Sequence, residues 1–230
     1  MDQFHRYAIY VLPAPGPLAD FGASWLGWDA QAGREVTHPD ISGLPLPVSK
    51  ITATPRKYGF HGTIKPPFHL TDGTSAQELL GAFTSLCAHL KPAALSGLKF
   101  ANLGRFLALV PDGNAGTLPA VAAKVVQDLD RFRAPPGEAE LKRRRTRPLS
   151  AAQEANLAAW GYPYVLDEFR FHMTLTGSIK SSEDRAAVEM ALRPYLDAIL
   201  PKPFVVDSLC LLGSDELGRF HLIERVGLGG

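Results

Sequence analysis

Short apolar runs separated by turn-forming residues divide the chain into predicted strands and helices. Alternating or continuous apolar runs predict strands at 7–12, 60–64, 98–110 (a pair), 171–175, 204–212 and 219–226. Apolar residues at three- and four-residue spacing predict helices at 18–28, 75–90, 118–132, 150–160 and 181–200. A proline-rich connector at 39–55 and a basic segment at 142–147 interrupt this order. The pattern therefore predicts a mixed protein in which strands and helices are both well represented.

Two short motifs occur twice at nearly the same spacing. His-x-Thr stands at 61–63 and at 172–174, 111 positions apart in a chain of 230 residues. Leu-Gly-Arg-Phe stands at 103–106 and at 217–220, 114 positions apart. In each half, a His-x-Thr strand is followed by a helix and a hairpin. We therefore predict one bilobal domain, 1–230, with approximate repeat halves at 1–110 and 111–230. Coincidence between two hairpins is the alternative.

The strand period decides which side chains share a face with each histidine. Alternate residues of a strand point the same way, so each histidine should face the same side as the threonine that follows it. Extending the alternation gives two candidate faces, each with an imidazole, a hydroxyl and a cation: Lys57, Gly59, His61, Thr63 and Lys65, and Arg170, His172, Thr174, Thr176 and Ser178.

These residue types suit displacement at phosphorus. An imidazole has an ordinary pKa near 6.5, so one histidine can act as a base while its partner acts as an acid. Threonine hydroxyls can bind the non-bridging oxygens, and a lysine or arginine can offset charge in the transition state. Metal binding is a rival use of two histidines, but a metal site needs further ligands. Asp167 and Glu168 lie near His172, whereas no acid adjoins His61.

Composition narrows the class of protein. The net charge of +1 argues against a broad basic surface for duplex nucleic acid, although it permits a local basic site. Cys87 and Cys210 lie in apolar stretches, which is typical of reduced core residues rather than of a disulfide framework. Neither a signal-peptide pattern nor a membrane-length apolar run is found. We expect a cytoplasmic protein that has no membrane partner, and the sequence leaves its oligomeric state open.

The doubled His-x-Thr motif resembles the 2H phosphoesterase superfamily. The segments at 56–68 and at 160–177 are more closely similar to an uncharacterised branch found in bacterial phosphonate-utilisation operons. Gly62 departs from this branch, where alanine is expected. The resemblance implies an α+β, bilobal fold of the LigT-like type, with duplicated antiparallel sheets and flanking helices around a central cleft. It also implies chemistry without a metal or other cofactor on a cyclic phosphate or phosphodiester.

The resemblance makes His61 and His172 catalytic and assigns Thr63 and Thr174 to phosphate binding. Sharing a face with these motifs makes Lys65, Arg170 and Thr176 further candidates for phosphate binding. Possible substrate contacts are Tyr58, Arg143, Arg144 and Tyr164; the arginines could equally form a solvated loop, and the tyrosine could serve packing. A cation near an imidazole disfavours its protonation, so Arg170 favours His172 as the base and leaves His61 as the acid. Lys57 and Lys65 could lower the pKa of His61 in the same way, which leaves the opposite assignment open.

Three functions follow from these expectations. The leading hypothesis is an enzyme that opens a small cyclic phosphate, such as a ribose cyclic phosphate from phosphonate metabolism. A second is a phosphodiesterase acting on 2′,3′-cyclic RNA ends, which needs a cationic track that the near-neutral charge disfavours. A third is a nucleotide- or RNA-binding module without turnover, but binding alone does not require an acid–base pair.

Overall fold

A seven-stranded antiparallel sheet forms the centre of the computed structural model, which describes residues 4–230. The strand order is β11-β10-β1-β4-β8-β7-β6. The strands of this sheet are β1 (Arg6–Val11), β4 (Gly62–Phe68), β6 (Leu98–Leu103), β7 (Phe106–Pro111), β8 (Met173–Thr174), β10 (Ser208–Ser214) and β11 (Phe220–Gly227). Two small sheets pair β2 (Trp28–Asp29) with β3 (Arg34–Glu35), and β5 (Ala93–Leu95) with β9 (Phe204–Val206).

Seven α-helices lie within the described part of the chain. They are α1 (Pro17–Leu26), α2 (Val48–Ile51), α3 (Ala76–Cys87), α4 (Leu118–Asp128), α5 (Glu138–Arg144), α6 (Ala151–Trp160) and α7 (Ser182–Leu196). Local chemistry sets several boundaries. Ser75 and Glu78 form a reciprocal capping box that begins α3, and Ser150 and Gln153 do the same for α6. Gly27, at φ 76°, ends α1 two residues earlier than the apolar pattern predicts.

The predicted α+β class, with antiparallel strands and flanking helices, is confirmed. The two predicted sheets are joined into one continuous sheet, because β4 and β8 are hydrogen-bonded neighbours. The chain halves also interleave. β1 of the first half pairs with β10 of the second, and β7 of the first half pairs with β8 of the second. The strand pairings of residues 4–230 therefore join the two predicted halves and do not divide the sheet at position 110. The predicted repeat of the sequence stays a prediction.

Two segments differ from the sequence prediction. The basic segment at 142–147 is partly helical, because α5 extends through Arg144. The predicted strand at 204–212 is divided into β9 and β10, and β9 pairs with β5, which the apolar pattern did not identify. Both differences come from tertiary contacts that a local pattern does not encode.

The two faces of the sheet have different coverings. One face packs against α1, α3, α4 and α7 and forms the main core, to which β1 contributes Tyr7, Ile9 and Val11. The opposite face carries a smaller cluster that includes Ala8, Tyr10 and the β11 residue Phe220. The cavity that contains Tyr10 and His61, described below, adjoins this less covered face. Between residues 4 and 230, no helix is both long enough and apolar enough to cross a bilayer.

Candidate active site

The two His-x-Thr motifs meet at the middle of the sheet. Gly62 of β4 pairs with Met173 of β8, and each catalytic candidate, His61 or His172, lies one residue before its strand. Regular strand structure therefore begins after the histidines, later than predicted at both motifs. Thr63 and Thr174 lie within the strands, half-buried like both histidines.

Both imidazoles are anchored in the same way. Nδ1 of His61 lies 2.9 Å from the carbonyl oxygen of Gly59, and Nδ1 of His172 lies 2.8 Å from that of Arg170. A carbonyl oxygen only accepts, so each Nδ1 carries the proton and the neutral ring presents Nε2 as an acceptor. Gly59 makes the first anchor possible: it adopts φ 71°, and a Cβ there would lie 2.6 Å from Cβ of Ala30.

Three neighbouring cavities are lined by the motif residues, and each contains a histidine of one motif together with a threonine of the other. A cavity of about 390 Å³ is lined by His61, Thr63 and Thr174. A second, of about 260 Å³, again contains His61 with Thr174 and Phe106. A third, of about 240 Å³, contains His172 with Thr63 of the other motif. The motifs therefore form one composite site. The largest cavity, about 1140 Å³ between α3 and α4, contains neither motif, so we place the chemistry in the smaller ones.

His61 lies in a dense aromatic setting. Tyr10 stacks on its ring with the centroids 3.8 Å apart, and Tyr58 lies 5.9 Å away. Burial lowers the pKa of His61 to about 4; the Gly59 carbonyl opposes this shift, and the charge of His172 adds to it. Nε2 of the ring lies 3.1 Å from the hydroxyl of Thr63.

The assignment of His172 as the base and His61 as the acid stays a prediction, and this setting favours the opposite assignment. Burial keeps His61 neutral near pH 7, which is the state a general base requires. Arg170 is the cation that the sequence analysis expected to act on His172. It is held at the site margin, because its Nη1 donates to the carbonyls of Asp167 and Phe169. We therefore propose His61 as the base and His172 as the acid.

The pH dependence of kcat/KM should reflect this low pKa. kcat/KM reports groups of the free enzyme, and the proposed base, His61, would act only when neutral. Activity should therefore persist below pH 6.5 and fall only as the pH approaches about 4. A pH–rate profile from pH 3.5 to 9 checks this. An acidic limb at pH 6–7 that disappears in His61→Ala would contradict the low pKa.

Lys65 does not face the candidate site, contrary to the sequence prediction. Tyr10 of β1 lies opposite Thr63, but Ile9 lies opposite Lys65, so β4 has an extra residue at this point. A β-bulge of this kind moves the following side chain to the other face of the sheet. Nζ of Lys65 is buried, 3.0 Å from the carbonyl of Val126 and 3.1 Å from Oδ1 of Asp130. Burial lowers the pKa of this amine to about 8, with Asp130 acting in the opposite direction.

Thr176 and Arg170 lie at the margins of the site. The Thr176 hydroxyl is buried; it accepts from the amide of Leu107 and donates to the carbonyl of Gly177. Its one proton is donated to that carbonyl, and the residue also lines the 260 Å³ cavity with His61 and Thr174. Its role in phosphate binding stays a prediction. Arg170 is exposed and lines the same cavity as His172.

The four predicted substrate contacts divide between the cavities. Tyr58, Arg143 and Arg144 line the 390 Å³ cavity with His61, and Tyr164 lines the cavity of His172. Further lining residues that sequence reasoning had not assigned to the site are Arg6, Tyr10, Phe106 and Tyr162. The alternation of β1 carried a usable signal, because Tyr10 pairs with Thr63 and must share its face.

The close contact between the two motifs requires a residue without a side chain at Gly62. A Cβ at this position would lie 2.2 Å from Cε2 of Phe171, the residue before His172. Phe171 is buried and packs near Phe204, so its ring has little room to move.

We expect Gly62→Ala to destabilise the fold by about 1–3 kcal/mol through overpacking. It should also lower kcat by displacing Phe171 and, with it, the neighbouring His172. Denaturant unfolding and steady-state kinetics check both effects. Gly81→Ala is the matched control, because a Cβ there meets nothing within 4 Å. Equal behaviour of the two variants would contradict the proposed contact.

The remaining candidates for chemistry lie elsewhere. His38 contacts Arg56, His221 contacts Asp215, and Nδ1 of His89 contacts only the Ser85 carbonyl. Cys87 and Cys210 are buried free thiols whose pKa values burial raises to about 12 and about 11. Across residues 4–230, no group of three or more His, Cys, Asp or Glu side chains is arranged to hold a metal ion.

Comparison with known proteins identifies the family. The model described as "Protein of unknown function (DUF1045)" matches residues 63–221, and the chain belongs to this family. A protein of Janthinobacterium sp. (strain Marseille) named "Ribose 1,5-bisphosphate phosphokinase PhnN" is 36% identical over 233 residues, covering 98% of this chain and 51% of that protein. A protein of the same name from Laribacter hongkongensis (strain HLHK9) is 31% identical over 225 residues, covering 97% and 52%. The chain spans about half the length of these curated relatives.

Two solved structures are also similar. One, titled "Crystal structure of phosphoesterase", has a TM-score of 0.43 and 15% identity, with 99% of each chain covered. The other, titled "Crystal structure of E.coli LigT complexed with 3'-AMP", has a TM-score of 0.46 and 14% identity, covering 98% of this chain and 99% of that one.

Proposed function

We propose that this protein is a 2H-type phosphodiesterase that opens a small cyclic phosphate by acid–base catalysis with two histidines. The observation that carries the proposal is the matched anchoring of His61 and His172. Both rings are fixed through Nδ1 to the carbonyl two residues upstream, and both adjoin a threonine of the opposite motif. A binding site for phosphate needs donors, but it does not need two imidazoles held in the same tautomer.

The proposed reaction is in-line attack of water on phosphorus. Nε2 of neutral His61 removes a proton from the water while the new P–O bond forms. Protonated His172 donates to the leaving ring oxygen as its bond to phosphorus breaks, giving a phosphate monoester. A bound phosphate anion raises the pKa of both imidazoles, which strengthens His61 as a base and favours the charged form of His172. The next turnover requires one proton to return from His61 to His172 through solvent.

Thr63 and Thr174 are proposed to bind the two non-bridging oxygens. Each lies in a strand and lines a cavity that also contains the histidine of the other motif. The Thr63 hydroxyl donates to Nε2 of neutral His61; in the proposed mechanism the attacking water takes its place at Nε2, which frees the hydroxyl for a phosphate oxygen. Thr63→Val and Thr174→Val should each reduce kcat/KM by about 1–3 kcal/mol of transition-state stabilisation, since a charged oxygen loses its donor. Steady-state kinetics measures this, with exposed Thr117→Val as the control. Unchanged kinetics in both motif variants would place the phosphate elsewhere.

The proposed substrate is a ribose cyclic phosphate from phosphonate metabolism. The names of the curated relatives supply one compound class, a ribose carrying phosphate. The sequence has no Gly-x₄-Gly-Lys-Ser/Thr loop of the kind that cradles nucleotide phosphates, so we do not extend the phosphokinase activity in that name to this chain. A cavity of about 390 Å³ is within the range of small-molecule sites.

A substrate panel tests the proposal. Purified protein in excess chelator is incubated with ribose cyclic phosphates, 2′,3′-cyclic nucleotides and short RNAs with cyclic ends. The proposal expects a phosphate monoester from at least one small cyclic phosphate, without added metal. Turnover of the RNAs alone would favour the RNA-end enzyme, and activity only after one divalent ion is restored would favour a metal mechanism. Binding without turnover would favour a non-catalytic module.

A further inference from the structure

Lys65 is a buried cation that the proposed mechanism does not use. Its side chain is 2% exposed, and it lines none of the three cavities that contain the motifs. We propose that Lys65 is a positioning residue, whose bond to Asp130 fixes the register of β4 against β1 and so places Thr63 beside His61. The catalytic consequence of this inference rests on the proposed function, whereas the placement of His61 rests on the fold alone.

The backbone pairing of β4 is irregular next to Lys65. The two residues that follow it are both proline, and neither has an amide hydrogen to donate to β1. The single step from Tyr10 to Ile9 in β1 is matched by two steps in β4, from Thr63 to Lys65. Backbone hydrogen bonds therefore specify the register of β4 only weakly at this point.

The ammonium group of Lys65 supplies a side-chain anchor in place of the missing backbone bonds. Nζ donates to the carbonyl of Val126 at 3.0 Å and to Oδ1 of Asp130 at 3.1 Å. Val126 lies in the last turn of α4, where carbonyls lack helical partners and favour a cation. Asp130 is held in turn by Arg133, whose Nε and Nη2 donate to its two carboxylate oxygens at 2.8 and 2.9 Å. The carboxylate is thus fixed before it binds Lys65.

A buried ion pair at this place contributes position more than stability. Removing two charges from water costs about as much free energy as their attraction returns. The bonds of Lys65 have fixed directions, however, whereas an apolar side chain could pack against α4 in more than one register. Ile64 also belongs to the main core, so two consecutive residues face the helices, which requires the bulge. Lys65 therefore stabilises the bulged register over a regular one.

The register of β4 determines what surrounds His61. Tyr10 pairs with Thr63, and its ring stacks on His61 with the centroids 3.8 Å apart. The hydroxyl of Thr63 lies 3.1 Å from Nε2 of the same ring. A change of register would move Thr63 relative to Tyr10, so both contacts of the imidazole would loosen.

NMR titration of the His61 imidazole in Lys65→Met tests the inference without requiring turnover. Methionine is unbranched and adaptable, so the variant fills the buried space and removes the charged anchor. The pKa of His61 should rise from about 4 towards 6.5 as the enclosure of the ring loosens. On a cyclic phosphate, kcat should fall by about 10²-fold with KM little changed, because misplaced groups lose transition-state contacts. Lys124→Met is the matched control; it breaks the exposed pair with Asp128 in α4 and should change neither quantity.

The possible outcomes separate the positioning role from the proposed function. A wild-type pKa of His61 in Lys65→Met, a raised pKa without loss of kcat in an active protein, or equal effects of Lys65→Met and Lys124→Met would overturn the role. If Lys65→Met does not fold, Asp130→Asn replaces it, because it removes the negative charge and keeps an oxygen acceptor. It should change both quantities in the same direction by a smaller amount, and no change would overturn the role. If the wild-type protein opens no cyclic phosphate, the proposed function fails, and the pKa of His61 alone decides the role of Lys65.

Discussion

Replacing either His61 or His172 with alanine should reduce turnover of the cyclic phosphate by about 10²–10⁴-fold, the usual contribution of a positioned general acid or base. The two losses should not add in the double variant, because the residues act in one transition state. Steady-state kinetics gives the loss of kcat, and thermal unfolding checks that the fold survives. The His61 ring stacks on Tyr10, so His61→Ala also removes a packing contact and the unfolding measurement is essential for that variant.

His89→Ala is the matched control for these variants. His89 is exposed, its Nδ1 hydrogen-bonds the Ser85 carbonyl, and it lies outside the three cavities that contain the motifs. The control should keep wild-type turnover. If His61→Ala or His172→Ala also keeps near-normal kcat on a substrate that the protein opens efficiently, the two-histidine mechanism is wrong.

A substrate with a good leaving group should distinguish the acid from the base. An activated aryl phosphodiester expels its oxygen without a proton, so the general acid matters little for it. On this substrate His172→Ala should recover most of the wild-type rate, whereas His61→Ala should remain about 10²-fold or more impaired. The reason is that burial keeps His61 neutral and able to accept the proton of water.

The comparison is made as a ratio of kcat/KM values for the aryl diester and the cyclic phosphate, in each variant. Rescue of His61→Ala instead of His172→Ala would restore the assignment based on sequence alone. Rescue of neither would mean that both histidines act on the attacking side.

Local sequence information was sufficient to predict the α+β class and most helices. The Ser75–Glu78 box and the apolar spacing that follows it determine α3 through short-range interactions, which a sequence pattern records. The pairing of His61 with Thr63 and of His172 with Thr174 follows from strand alternation. The prediction that the two motifs share one site came from their duplicated spacing in the sequence. Their adjacency in β4 and β8 agrees with that prediction.

Long-range packing accounts for what the sequence did not predict. The bulge in β4 depends on the register with β1, so simple alternation placed Lys65 on the wrong face. The desolvation of His61 depends on Tyr10, which is 51 positions away in sequence, and charges near in sequence could not reveal it. The Arg143 and Arg144 segment was ambiguous in the sequence because the contact of Arg144 with the ring of Tyr162 forms only in the folded chain.

Isotope tracing during turnover tests the central claim most directly. The protein is incubated with a small cyclic phosphate in H₂¹⁸O and excess chelator, and the product is examined by mass spectrometry and ³¹P NMR. Attack of water on phosphorus predicts one ¹⁸O atom per product, on phosphorus, with no label in the sugar. The His61→Ala, His172→Ala double variant should form almost no labelled product. Label in the sugar, or equal labelling by the double variant, would contradict two-histidine opening of a cyclic phosphate.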